Sequence, residues 1–276
     1  MTSLNSLIAD DAIDLHASAD DWRGAISASG RLLENSGVAT ADYTRLMIES
    51  VENNGPYIVL TPGFALAHAR PDPSVLRTGM SFARLAEPVA FGHEANDPVS
   101  IVMSLAATDA SAHQQALAAL AGVLADPARR ARLDASDTIE ELRSVFDEQA
   151  PPARTAPGSA EAAGETSAPG ASAEDLENAV PSKNLILCVC GNGVGTSLFL
   201  KNTLEGVLTS WGWDSLIDVE ATDTISAKGK AGSADLVLTS QAIADALGDV
   251  GVPVEIITDF TSQREIDHAL RRWYVV

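Results

Sequence analysis

The chain has 276 residues and is 46% hydrophobic, enough for one large domain or two ordinary ones with buried cores, and two domains is the better expectation. With 18 Lys+Arg against 38 Asp+Glu, the formal net charge is -20 and the isoelectric point about 4.4, so a nucleic-acid backbone would be repelled and is excluded as a partner. The two cysteines, Cys188 and Cys190, are too close for a stapling disulfide and too few for a structural zinc site, and no apolar run reaches the roughly 18 residues of a membrane span, so a soluble protein of the reducing cytoplasm is expected.

In chain order, "ADDWRGAISASGRLLENSG" has helical spacing with a stop at Gly37, and "TADYTRLMIESVENNG" repeats it up to Gly55. The runs "YIVLT", "GFALAHA", "LRTGMSFARL", "PVAFG" and "VSIVMSLAAT" then read as short strands broken by Pro and Gly. Helical "SAHQQALAALAGVLAD", "PARRARLDA" and "TIEELRSVFDEQ" follow, so residues 1–148 form a mixed α/β domain around a central sheet. Residues 149–182 turn to Ala, Pro, Gly, Ser and Glu and read as a solvated linker, although "AEDLENAV" within them could form a short helix. In residues 183–276 the rhythm changes. Strand "NLILCV", a glycine loop, helix "TSLFLKNTLEGVLTSWG", strand "IDVEAT", "ADLVLTS" into "QAIADALGD", and "VPVEIITD" into "SQREIDHALRRW" predict a parallel, doubly wound sheet of four strands.

The stretch "LILCVCGNGVGTSLFL" carries the clearest chemistry. A strand that ends on Cys190 and passes through Gly191, Asn192, Gly193, Val194 and Gly195 into a helix gathers backbone N–H groups at a helix N-terminus, which is an anion cradle. The positive helix end should lower the Cys190 pKa, and Thr196 and Ser197 can cap the helix and donate hydroxyls to phosphate. Nucleophile and phosphate seat thus lie together, while Cys188 faces the core. The spacing fits neither nucleotide fingerprint, so no nucleotide or metal is implied.

This stretch closely resembles enzyme IIB of the phosphoenolpyruvate sugar phosphotransferase system, lactose/galactitol/ascorbate class, over Asn184 to about Trp273, with the ascorbate type nearest. The resemblance implies that Cys190 carries phosphate. The loop is also similar to the C-x-x-x-x-x-R loop of low-molecular-weight phosphatases, but Thr196 stands in place of the arginine. Without that clamp, it should hold phosphate for handing on rather than hydrolyse it quickly.

Among five histidines, His68 ends an apolar strand between small residues that leave its imidazole accessible, and His113 lies in the first turn of a helix that Asp109 or Ser111 could cap. "GPYIVLTPGFALAHARP" and "SLAATDASAHQQALAALAGVL" resemble enzyme IIA of the mannitol/fructose/ascorbate class, from about Leu4 to Phe146. By that resemblance His68 is the phosphoacceptor and His113 its partner. Ala67 replaces the family's usual proline, and the arginine of mannitol-type members falls near Ser50, leaving Arg70 as a candidate substitute. His16, His93 and His268 read as surface or packing residues, Asp72 and Asp97 as turn-formers, and "ARRARL" (Ala128 to Leu133) as a solvated helix face.

Together these imply a cytoplasmic IIA–IIB component, peripheral to the membrane through its partner. Phosphate would pass from phospho-HPr to His68, from His68 to Cys190, and then to a sugar, ascorbate-like or a pentitol, held by a membrane enzyme IIC. A tether of this length spans roughly 30 Å root-mean-square and keeps its domains at about millimolar effective concentration. Two other readings use the same residues. One is a thiol phosphatase or arsenate-reductase-like enzyme, which leaves the first domain unexplained. The other is a phosphorylation-dependent regulatory protein of the same system that does not phosphorylate sugar; no helix-turn-helix or basic surface supports direct transcriptional control.

Overall fold

The structure, a computed structural model, describes residues 3–147, 183–190 and 196–274. The expected linker, 149–182, lies outside the described residues, as does the glycine loop Gly191, Asn192, Gly193, Val194 and Gly195.

The first region opens with a short helix α1 (Leu4–Leu7) and strand β1 (Ile13–Ala17), followed by α2 (Trp22–Asn35) and α3 (Ala41–Asn54). Strands β2 (Val59–Thr61), β3 (Phe64–His68), β4 (Gly79–Val89) and β5 (Val99–Ala106) then lead into α4 (Ala110–Leu124), α5 (Pro127–Ala135) and α6 (Ile139–Asp147). The sheet order is β1-β4-β5-β3-β2. It is mixed, with β1/β4 and β3/β5 parallel and β4/β5 and β2/β3 antiparallel. Two expectations change. The runs around "LRTGMSFARL" and "PVAF" are one strand, β4, whose register shifts between Arg84 and Val89, where Pro88 cannot donate to a ladder. "IDLHA" is an additional edge strand, β1, with only Ala17 buried, so it lacks the apolar alternation that reveals a strand.

The second region runs β6 (Leu185–Cys190), α7 (Ser197–Trp211), β7 (Asp218–Asp223), α8 (Thr224–Lys230), β8 (Leu236–Thr239), α9 (Gln241–Leu247), β9 (Val254–Ile256) and α10 (Gln263–Leu270). Its four strands are all parallel in the order β7-β6-β8-β9. Helix α8, not expected from "TISAKGK", begins where the Asp223 carboxylate accepts the Ile225 and Ser226 N–H groups. The strand order reverses direction at β6, so Cys190 sits at the carboxyl edge where such sheets form their crevice.

The two regions pack on each other. Helix α4 is apolar around most of its circumference, burying Leu117, Leu120 and Leu124 in a cluster that continues into Phe199, Leu200 and Leu204 of α7. Three polar ties cross the same interface. Phe260 N–H donates to the Leu60 carbonyl (3.1 Å), Asn96 Nδ2 donates to the Thr258 carbonyl (2.9 Å), and the Thr61 and Thr261 hydroxyls meet at 3.3 Å. Among the described residues, no helix is long and apolar enough to cross a membrane.

Candidate functional site

His68 is the last residue of β3, paired in register with Leu105 of β5 and only 7% exposed. Its Nδ1 lies 2.9 Å from the Leu66 carbonyl, which can only accept, so the hydrogen bond places the proton on Nδ1 and leaves the Nε2 lone pair free. Burial pushes the imidazole pKa down, with the Leu66 carbonyl opposing. The result is a neutral, oriented imidazole with one ring nitrogen left unbonded. The strand end is anchored by Tyr43, whose hydroxyl donates to the Leu105 carbonyl (2.8 Å) and accepts from the Ala69 N–H (3.1 Å).

His113 stands beside it with ring centroids 5.6 Å apart, in the opening of α4, whose cap is Asp109 through the Ala112 N–H (2.9 Å) rather than Ser111. Its Nδ1 is buried and has no hydrogen-bond partner. Burial first, and then the neighbouring His68, pull its pKa down to about 4. An orphaned buried ring nitrogen beside a second imidazole could complete its bonding to an oxyanion placed between them. Arg70 is exposed two residues beyond His68 and shares with it a crevice of about 340 Å³ that Ser50, Asn54 and Asp72 also line. Asp72 forms the expected turn by accepting the Ser74 N–H and hydroxyl.

Cys190 closes β6 opposite Asp223 and is 3% exposed, and its Sγ donates to the Ser197 hydroxyl at 3.3 Å. Here the expectation of a lowered pKa is reversed. Burial raises the Cys190 pKa, and hydrogen bonding with the side chains and backbone of Ser197 and Thr196 only opposes that rise. Thr196 holds the N-cap position of α7 but makes no side-chain cap bond, so both hydroxyls serve the sulfur rather than the helix end. Cys188 is fully buried in a strand covered on both faces, with its pKa raised by burial.

His16 and His268 are exposed and His93 is partly buried against the inter-region cavity, away from the His68 pair. The "ARRARL" helix face is not simply solvated. Arg129 is 5% exposed and donates to the Gly122 (3.2 Å) and Val145 (2.8 Å) carbonyls, tying α4, α5 and α6 together. Among the described residues, no group of three or more His, Cys, Asp or Glu side chains could hold a metal ion.

Comparison with known proteins follows this geometry. The sequence model described as phosphoenolpyruvate-dependent sugar phosphotransferase system, EIIA 2, matches residues 6–149, more than half of the chain. The chain belongs to this EIIA family. A second model, the lactose/cellobiose-specific IIB subunit of the same system, matches residues 185–272. The chain is thus a sugar-transport component of the phosphotransferase type, with an EIIA region followed by a IIB region. The ascorbate-specific EIIA components of Salmonella typhimurium and Escherichia coli are 36% and 35% identical over 144 residues, covering 52% of this chain and 94% of each relative. Among solved structures, the mannitol-specific cryptic phosphotransferase enzyme IIA of Escherichia coli is 31% identical with a TM-score of 0.48, covering 52% of this chain and 98% of its own.

Two EIIA residues, one beside His68 and one at the contact with the IIB region, escaped sequence reasoning. Tyr57 sets its ring edge-on to His68, centroids 5.6 Å apart at 81°, and its position next to the Gly55-Pro56 turn gave no chemical signal. Asn96 is 1% exposed and bonds both the Val59 carbonyl (3.3 Å) and Thr258 of the IIB region. Its loop is organised by the Asp97 carboxylate, which accepts the N–H groups of Phe91, Gly92 and His93. Asp97 was legible as a turn-former, but the partner its neighbour reaches is 162 residues away.

Proposed function

We propose that the chain is the IIA–IIB relay of a phosphotransferase-system sugar transporter, taking a phosphoryl group from phospho-HPr on His68, passing it to Cys190 and delivering it to a sugar held by a membrane enzyme IIC. The observation that carries the reading is the Nδ1–H bond of His68 to the Leu66 carbonyl, which fixes Nε2 as the free nucleophile beside the unpartnered nitrogen of His113. The ascorbate specificity printed for the EIIA relatives supports an ascorbate-like sugar acid as substrate.

In the first step the Nε2 lone pair forms the new P–N bond as the donor's P–N bond breaks. The His68 ring becomes an imidazolium, with Nδ1–H still on Leu66. His113 donates to an equatorial phosphoryl oxygen, and Arg70 contributes charge from the crevice. In the second step the Cys190 thiolate, its proton released to solvent, attacks phosphorus in line. The P–N bond electrons return to Nε2 and leave a neutral imidazole, while Thr196, Ser197 and the N–H groups of residues 191–195 receive the phosphoryl oxygens. The proposed place of work is the cytoplasmic face of the membrane, beside enzyme IIC.

Incubation with phosphoenolpyruvate, enzyme I and HPr tests this. Cys190→Ser should retain an acid-labile histidine label and lose the thiophosphate, and His68→Ala should lose both. Normal charging of Cys190 from HPr in His68→Ala would overturn the order of the relay.

A further inference from the structure

Tyr57 occupies a position that the relay so far leaves unused. Its ring meets the His68 imidazole edge-on from one side while His113 meets it from another, so the imidazole is held by two rings as well as by Leu66. Its hydroxyl is tied to the Ser50 hydroxyl at 2.7 Å and reaches the His68 carbonyl at 3.4 Å, which fixes the ring plane. Two cavities abut it. One is the crevice of about 340 Å³ that opens to solvent at His68 and Arg70. The other is a cavity of about 510 Å³ between the EIIA and IIB regions, lined by His93 and Val59 on one side and Gln241, Ile257 and Phe260 on the other. Tyr57 is the residue common to both linings.

Resting on the histidine-to-cysteine reading, we propose that Tyr57 is a positioning residue of the relay: its ring holds the His68 imidazole edge-on and so aims a phosphoryl group on Nε2 at Cys190 rather than leaving it to water. Cys190 lies close enough for its charge to add to the burial that pushes the Tyr57 phenol up to about 12, which keeps the phenol protonated and its hydrogen bonds intact throughout the physiological range. Without the ring the imidazole can turn and the phosphoryl group loses its line to Cys190, while water from the crevice that His68 already lines attacks phosphorus, with the P–N bond breaking, the electron pair returning to Nε2 and inorganic phosphate leaving.

The test measures how phosphohistidine partitions. The full-length chain is charged by phospho-HPr, and phosphocysteine and released inorganic phosphate are quantified against time for wild type, Tyr57→Ala and Tyr57→Phe. The ratio of transfer to hydrolysis should fall about tenfold in Tyr57→Ala, the size expected for loss of an aromatic pair, and return to within about threefold of wild type in Tyr57→Phe, which keeps the ring. If Tyr57→Ala does not fold, Tyr57→Leu, which fills volume without a flat edge, carries the same expectation. An unchanged ratio in the Ala and Leu variants overturns the proposal. A wild-type chain that never forms phosphocysteine overturns the relay reading instead, so the two failures are distinguishable.

Discussion

Asn96 provides a measure of how firmly the IIB region docks on the EIIA region. Its amide donates to the Val59 carbonyl within EIIA, a bond present whether or not the regions are docked, and to the Thr258 carbonyl across the interface at 2.9 Å. In Asn96→Ala the first loss cancels from the docking equilibrium and the second does not. A single neutral hydrogen bond, with its acceptor left inside a partly buried interface, is worth about 1–2 kcal/mol, which lowers the docked-to-undocked ratio about 5- to 30-fold. The Phe260 amide reads this ratio directly, because its hydrogen-bond acceptor, the Leu60 carbonyl, belongs to the other region. Native-state hydrogen exchange should show Phe260 protection falling by that factor, while Trp213, which donates to the Leu208 carbonyl within the IIB region, keeps its protection. Asn96→Asp should weaken docking further, since it sets a carboxylate against two carbonyl oxygens. Unchanged Phe260 protection in both variants would refute the assignment of Asn96 as a docking residue.

Four other outcomes are expected. His113→Gln should slow charging of His68 by about 10²-fold in a rapid-quench assay, because a neutral amide does not take up the proton that balances an arriving oxyanion. It should also flatten the pH dependence of unfolding. The His113 pKa is depressed to about 4, so its contribution to stability is complete above the ordinary histidine value and is lost as pH falls towards 4, and denaturant titrations between those limits should show a shallower slope in the variant. The single-turnover rate of transfer from His68 to Cys190 should rise about tenfold per pH unit up to and beyond the ordinary thiol range, because the raised Cys190 pKa shrinks the thiolate share at every lower pH. Gly30→Ala should lower stability by about 1–3 kcal/mol in thermal unfolding, since the added methyl falls on the Thr44 side chain where α2 crosses α3.

What was legible in the sequence follows from the range of the interactions concerned. The β6 run is continuously apolar and ends on Cys190, so strand, core-facing Cys188 and helix α7 could all be read from local pattern. The pairing of His68 with His113 rested on family resemblance, because β3 and α4 are brought together only by the β3/β5 register and the Asp109 cap. The Cys190 pKa was misjudged for a physical reason. A helix N-terminus lowers a thiol's pKa only by the strength of its dipole, and a sequence does not reveal that the sulfur is also buried, which costs more. Tyr57 and Asn96 were out of reach because each acts on a neighbour set by tertiary packing, one a ring on an adjacent strand, the other a carbonyl in a separate region.

The burial that makes Cys190 a poor thiolate also gives the proposed relay a direction. In the reacting state the buried site holds three charged groups: an imidazolium at His68, the phosphoryl group and a thiolate at Cys190. After transfer it holds one, the phosphoryl group on sulfur, beside a neutral imidazole whose Nδ1–H remains on the Leu66 carbonyl. Net charge is the same on both sides, but desolvation penalises each separate charge, so excluding water favours the forward step at both nucleophiles. The lowered pKa of His68 and the raised pKa of Cys190 both come first from that burial. A variant that hydrates the interface should therefore shift the His68–Cys190 phosphoryl equilibrium back towards His68, and quantifying both phosphoresidues in Asn96→Asp at equal total label measures this; an unchanged distribution would show that burial does not set the direction.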